Sequence, residues 1–410
     1  MQSRLNGLHA VTSLPPSNGN PSEAGIGAHI GASLVGPPRP VPPLDAMREA
    51  IAAALARSGL GDARDGESRA VAILSVRRRE ELRIREAVLA GRLDARGSAR
   101  ALSQLADACV EATKHEALRD LSPRLDRRHA ERLGLLALGS LGSRELNFGS
   151  DLDLVFVLDD APSLAADYAR FVQRWVGLLD PPRRQERLYG VDLRLRPDGG
   201  QGAVVPTLSG LRDYYAERAT PMERLALLRS RPIATAARLA RRLDDLVGEV
   251  IGMTDVAAAA DAALGIRRKW RAARAATQCL EIKSMPGGRA DLEMAVQLLQ
   301  LEAIQQGRWP GRMRVSTPDA IDRLGVAGTL DRRLVRGAAT AWSRLRDLES
   351  RHRLSSGTGE TALPSTRVER GFVTGAVSGI APQGARLDSE IAETVGVVQE
   401  LLVRAGLPAI

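Results

Sequence analysis

The stretch SDLDLVFVLDD, residues 150–160, constrains this chain more than any other. Successive side chains of a strand alternate faces, so Leu152, Leu154 and Phe156 enter a core while Asp151 and Asp153 share the opposite face. Two carboxylates held together on one face repel, and burying them is costly unless solvent or a cation compensates. A hard divalent cation relieves that repulsion, because Mg2+ takes one or two protein carboxylates and leaves its other positions to phosphate oxygens and water. An isolated D-x-D is more commonly a solvated strand face. Here the residues around it favour the cation.

Just upstream lies GSLGS, residues 139–143, whose small residues and backbone N–H groups can approach a phosphate closely. A Gly-Ser turn, seven residues and then D-x-D on a strand is a far more specific pattern than the turn alone. A second segment, VDLRLRPDG, reads as another strand with Asp192, Arg194 and Arg196 on one face and Val191, Leu193 and Leu195 on the other. A neighbouring strand therefore brings a third carboxylate beside the first two. Three carboxylates can hold two metal ions, as in-line phosphoryl and nucleotidyl transfer requires. Arg194 and Arg196 then read either as phosphate contacts or as partners in surface ion pairs.

Periodicity divides the chain into four parts. Residues 1–43 are rich in Pro, Gly and Ser without apolar repeat and predict a disordered tail. Residues 44–130 carry apolar positions at three- and four-residue spacings and predict a helical lead-in. Residues 131–235 mix short strands with a helix, and residues 236–410 return to long helical patterns, with 355–385 read as loop. The class expected is α+β, a small mixed sheet between helical segments.

Composition excludes several alternatives. Two cysteines and five histidines support neither a disulfide framework nor a zinc spacing. No apolar run approaches the ~20 residues that span a bilayer, and no signal peptide is evident, so a cytoplasmic location is the expectation. A net charge of +9 invites a nucleic-acid reading, but only 3% of residues are aromatic and the arginines are spread along helices, which argues against a nucleic-acid partner. Lysine occurs only at 114, 269 and 283, so each marks a position where a compact ammonium is used in place of the usual guanidinium.

Gly142 and Ser143 followed by Asp151 and Asp153 resemble the signature of the DNA polymerase β-type nucleotidyltransferases. The longer string LGSRELNFGSDLDLVFV resembles the glutamine-synthetase adenylyltransferase family. The likeness continues through VDLRLRPDGGQGAVV, MERLALLRSRPIA, EIKSMPGGRADLEMAVQLLQL and LRDLESR, and covers roughly residues 68–351. The resemblance implies Mg2+-dependent transfer of AMP from ATP to a tyrosine of glutamine synthetase, with two ions, or the reverse phosphorolysis by a related domain. It implies Asp151, Asp153 and Asp192 as metal ligands, with Asp192 also helping to deprotonate the attacking hydroxyl. Gly142 and Ser143 are implied as triphosphate contacts. Within EIKSMPGGRADLE, Lys283 reads as a phosphate contact. Gly287 and Gly288 read as a tight turn before a helix N-terminus that suits an anion. Glu293 and Gln297 face either the cleft or solvent, and Glu223 and Arg224 read as structural.

The chain departs from the family in places. The full family enzyme carries two nucleotidyltransferase units, and this chain has one. Ser140 stands where the family commonly has a basic residue, and Met285 replaces a small or acidic one. Ala290 stands where removing-type domains tend to have Arg, which leans towards the attaching direction. These departures motivate a second reading, a weakened regulatory module that binds nucleotide or partner without turnover.

Overall fold

The structure is a computed structural model that describes residues 40–58, 66–121, 126–160, 165–181, 187–277, 280–356, 362–363 and 384–408. Apart from its last four residues, the expected tail at 1–43 lies outside the described residues. Three helices lead in, α1 (Leu44–Ser58), α2 (Gly66–Leu89) and α3 (Ala95–Leu121). A short helix α4 (Arg127–Glu131) starts where Asp126 accepts from the His129 N–H and the His129 ring takes the Asp126 N–H in return. The chain then builds β1 (Leu133–Ala137), the single turn α5 (Gly139–Gly142), β2 (Leu152–Leu158), α6 (Ala165–Leu179) and β3 (Val191–Asp192). Next come α7 (Leu208–Glu217), α8 (Pro221–Ala226), β4 (Arg231–Ile233), α9 (Ala237–Met253) and α10 (Val256–Thr277). The remaining elements are β5 (Leu280–Glu281), α11 (Arg289–Gln305), α12 (Thr317–Val326), α13 (Arg332–Ser356), β6 (Ala362–Leu363) and α14 (Gly384–Arg404).

The four-stranded sheet has the order β3-β2-β1-β4. β1 is antiparallel to both β2 and β4, whereas β2 and β3 run parallel, so the sheet is mixed and the fold is α+β. The sheet is buried on both faces, which explains why β2 is apolar at nearly every position after Asp153. Leu152, Leu154 and Phe156 join the core formed with α1, α2, α3 and α6, as strand alternation predicts. Val155 and Val157, on the Asp153 face, join a second core built from α7, α9 and α11 to α14. Trp175 of α6 ties the first core together: its ring meets Phe156 edge-on at 5.2 Å, and its Nε1 donates to the Val110 carbonyl and Thr113 Oγ1. Asp153 thus stands at the mouth of a strand whose face is apolar further along.

Three expectations change. VDLRLRPDG is a strand only at Val191 and Asp192; the Arg196 N–H then returns to the Leu193 carbonyl, and Asp198 and Gly199 take left-handed backbone angles before a short turn. Pro197 and the glycines stop the ladder, so Asp192, Arg194 and Arg196 do not line one strand face. Arg231, Pro232 and Ile233 form an edge strand that the apolar pattern is too short to signal. The segment 355–385 is not all loop: α13 runs to Ser356, Ala362 and Leu363 pair with β5, and the last helix begins at Gly384. Its other residues lie outside the described ones.

Candidate active site

The parallel pairing of β2 with β3 makes Asp153 and Asp192 direct register partners. Asp151 precedes β2, next to the Leu152 N–H that donates to the Gly190 carbonyl at 2.8 Å. Two glycines make room for these acids. Gly139 has φ +55°, and a Cβ there would collide with Asp153 Oδ2; a Cβ on Gly190 would collide with Asp151 Oδ1. Neither glycine was singled out from the sequence for this role. Their signal is position alone, one directly after β1 and the other directly before β3.

Asp153 is half-buried, and burial first, then the neighbouring Asp192 carboxylate, raises its pKa to about 6. The charges of Lys283 and Arg229 work in the opposite sense on the same carboxylate. Lys283 itself is exposed. Asp192 is held below the usual carboxylate range by hydrogen bonds from Arg194, whose Nε reaches Oδ2 at 2.9 Å and Oδ1 at 3.0 Å. Among the described residues, no hydrogen bond or ion pair engages the side chain of Asp151 or Asp153, and no group of three His, Cys, Asp or Glu side chains forms a ready metal cage. The donor set suits a hard cation taken through one or two carboxylates, with substrate oxygens completing its shell.

The remaining expected site residues divide by what they touch. Arg196 donates to the Leu193, Gly200 and Gly202 carbonyls and so closes the 193–202 turn. Gly142 faces away from the acids, since a Cβ on it would strike the carbonyls of Arg229 and Ala137. Ser143 Oγ donates to the Gly139 carbonyl at 2.9 Å and accepts from Arg229 at 3.0 Å. Both donors of the Gly287 and Gly288 turn are engaged, Gly287 N–H with Asp291 Oδ2 at 2.9 Å and Gly288 N–H with the Met285 carbonyl at 2.8 Å. Gly287, at φ +71°, lets α14 pack close, where Val395 leaves no room for a Cβ. The turn therefore brings Lys283 towards Asp153 without offering free N–H groups of its own. Glu223 caps α8 with Thr220 and accepts from Tyr214, and Arg224 donates to the Ala216 carbonyl, both structural as expected.

Behind the site lies a buried ion network that periodicity did not reveal. Glu293, which faces neither cleft nor solvent, pairs with Arg229 and Arg289; Gln297 donates to the Leu225 carbonyl. Glu145, from the segment between α5 and β2, accepts from the Thr317 N–H at 2.6 Å, Trp342 Nε1 at 3.4 Å and Arg229 at 3.3 Å. From α13, Arg346 donates to the Glu145 and Leu146 carbonyls, and Ser350 donates to Asn147 Oδ1 at 3.0 Å. Arg353 donates to the Phe148 carbonyl at 2.7 Å and to Ser150 Oγ at 2.8 Å, immediately before Asp151. Glu349, fully buried, balances Arg289, Arg346 and Arg353. The C-terminal bundle thereby clamps the segment that delivers the acids.

The sequence model of one family, described as glutamate-ammonia ligase adenylyltransferase, matches residues 36–245, a stretch that contains the sheet and all three aspartates. The chain belongs to the glutamate-ammonia ligase adenylyltransferase family. Relatives agree with this membership. A bifunctional glutamine synthetase adenylyltransferase/adenylyl-removing enzyme of Stenotrophomonas maltophilia is 35% identical over 262 residues, which is 60% of this chain and 28% of that protein. Enzymes of the same name from Caulobacter vibrioides and Bradyrhizobium diazoefficiens are 32% identical over 284 residues and 30% identical over 268 residues, or 66% and 62% of this chain. The match spans little more than a quarter of each relative, 28% and 27% of those two. No helix among the described residues is long and apolar enough to cross a membrane.

Proposed function

We propose that this family member is a nucleotidyltransferase unit that transfers AMP from ATP to a tyrosine hydroxyl of glutamine synthetase. The single observation that carries the reading is the β2–β3 register, which sets Asp192 beside Asp153 within the electrostatic influence of Lys283 and Arg229. In the forward direction Asp192 accepts the tyrosine hydroxyl proton, the tyrosine oxygen bonds to the α-phosphorus, the bond to the bridging oxygen breaks, and pyrophosphate leaves with that electron pair. Asp151, Asp153 and Asp192 would hold Mg2+, as one ion or two, which supplies charge neutralisation at the transferring phosphoryl group. Asp153, inside the mouth of β2, and Asp151, at its rim, orient the nucleotide phosphates. Lys283 draws them towards the 139–143 turn, where Gly139 leaves space and Gly142 and Ser143 hold the turn's shape. Arg194 keeps Asp192 ionised.

The test is AMP transfer from α-labelled ATP and Mg2+ to glutamine synthetase. Label should appear with the native chain and fall by about a hundredfold or more in Asp153→Asn, the scale of losing a charge-stabilising group. Label unaffected by Asp153→Asn would sink the assignment. Loss of AMP as ADP from adenylylated synthetase plus phosphate, without forward transfer, would give the same residues the removing role. Nucleotide binding with neither reaction would make the chain a regulatory module.

A further inference from the structure

A cavity of about 520 Å³ opens beside the 139–143 turn, between Ser143, the edge strand β4, helix α9 and residues 312–316. None of the three aspartates lines it, and neither does Lys283. Four guanidinium groups do: Arg144, Arg231, Arg312 and Arg314. Their compensation is incomplete. Arg231 pairs with Asp107 at 2.5 Å, and Arg144 has only the far oxygen of the same carboxylate, at 3.9 Å. Arg314 pairs with Asp244, half of whose side chain is in solvent, and reaches Ser230 Oγ at 3.3 Å. Among the described residues, no ion pair engages Arg312. Four cations thus share two carboxylates.

The electrostatics follow. Burial, then the charge of Arg231, holds the Arg144 guanidinium below its ordinary range. Burial pushes Arg314 down to about 10, a cost that half-exposed Asp244 does not offset. Arg144 also adopts φ +59°, a left-handed angle that is unfavourable for a residue with a side chain. Val247 and Met313 line the same cavity and offer an apolar wall, and Ser230 and Ser316 offer hydroxyls. The volume matches a small-molecule site more closely than a protein-docking face.

We propose that this cavity is a second binding site, separate from the nucleotide site, for a small organic molecule that carries an oxyanion, either a phosphate ester or a polycarboxylate. Guanidinium forks bind both oxyanions bidentately, and the uncompensated charge supplies the affinity. The apolar wall takes the ligand's carbon body. The site does not depend on the AMP-transfer reading, since it uses none of the proposed metal ligands.

The test is calorimetric titration of the full chain with inorganic phosphate and, separately, citrate, in EDTA and without nucleotide. The native chain, Arg144→Gln/Arg312→Gln and Lys283→Gln are compared. Arg144 and Arg312 are exposed and outside the buried ion network, so the double variant should fold, which circular dichroism checks. Saturable one-to-one binding that weakens tenfold or more in the double variant and is kept in Lys283→Gln is expected. Preference for phosphate assigns a phosphate ester, and preference for citrate assigns a polycarboxylate. Binding of neither, or binding lost in Lys283→Gln and kept in the double variant, would overturn the proposal. AMP transfer is scored separately, so failure of one leaves the other standing.

Discussion

Two groups of charged side chains lie back to back in this protein and obey opposite rules. In the buried network, Glu145, Glu293 and Glu349 are enclosed by Arg229, Arg289, Arg346 and Arg353, and each carboxylate has several donors. At the mouth of β2, Asp192 is the register partner of Asp153 and Asp151 lies two residues before Asp153, and of the three only Asp192 is paired among the described residues. Burial acts to raise both Glu293 and Asp153. In Glu293 the arginines outweigh burial and hold the group at about 2, whereas in Asp153 burial prevails and lifts it to about 6. In the buried network the charges satisfy one another; at the mouth of β2 like charges face one another, which is the feature the proposed metal site uses.

The contrast can be broken most severely at Glu349. Glu349→Ala strands three buried guanidinium groups and should destabilise the chain by about 3–5 kcal/mol, the cost of removing one partner of a buried pair. Urea unfolding monitored by circular dichroism reads the loss, and a change below ~1 kcal/mol would show that the network is not coupled. Asp153→Asn is the converse. With EDTA present it should leave stability unchanged or raise it by ~1 kcal/mol, because it removes a repelling charge, while abolishing AMP transfer. A large loss of stability would make Asp153 a structural residue.

Acid sharpens the difference. The depressed carboxyl of Glu293 binds fewer protons folded than unfolded, so its contribution is complete above its ordinary pKa of 4.5 and is lost as pH falls through about 2. Urea unfolding between pH 2.5 and 6 should show stability rising with pH. Glu293→Gln should be less stable at neutral pH and show a shallower slope; an unchanged slope would place the acid sensitivity elsewhere. Gly139→Ala should cost about 1–2 kcal/mol, from its left-handed backbone and the collision with Asp153, and should impair transfer more than it impairs folding. Arg353→Met links the two regions. Loss of its bonds to Phe148 and Ser150 should cost about 1–3 kcal/mol and lower kcat for AMP transfer with KM for ATP nearly unchanged. A matching rise in KM would mean that the clamp shapes the nucleotide pocket itself.

Much of this was legible in the chain. The three lysines illustrate both reach and limit. The charge of Lys283 acts on Asp153, a pairing that its rarity did not specify. Lys114 is instead buried, donating to the Leu133 and Ala234 carbonyls where β1 and β4 meet, with burial pushing it down to about 8. Lys269 is simply exposed. Rarity marks a residue as unusual, but burial depends on which elements pack against it. VDLRLRPDG misled for a similar reason, since alternation continued on paper past the point where Pro197 and Gly199 turned the backbone. Gly142 and Ser143 stood out by spacing, yet Gly139 is the glycine that meets Asp153.

Local pattern was sufficient for the long helices, for β1 and β2 and for the family, because apolar periodicity and a D-x-D strand are properties of neighbours in sequence. Tertiary structure alone decided that Asp192 lies beside Asp153, that Glu145 meets residues 317, 342 and 229, and that four arginines surround one cavity. Those facts are sums of contacts between segments tens to hundreds of residues apart. The energy of a buried charge is set by what surrounds it in space, and no single segment carries that information.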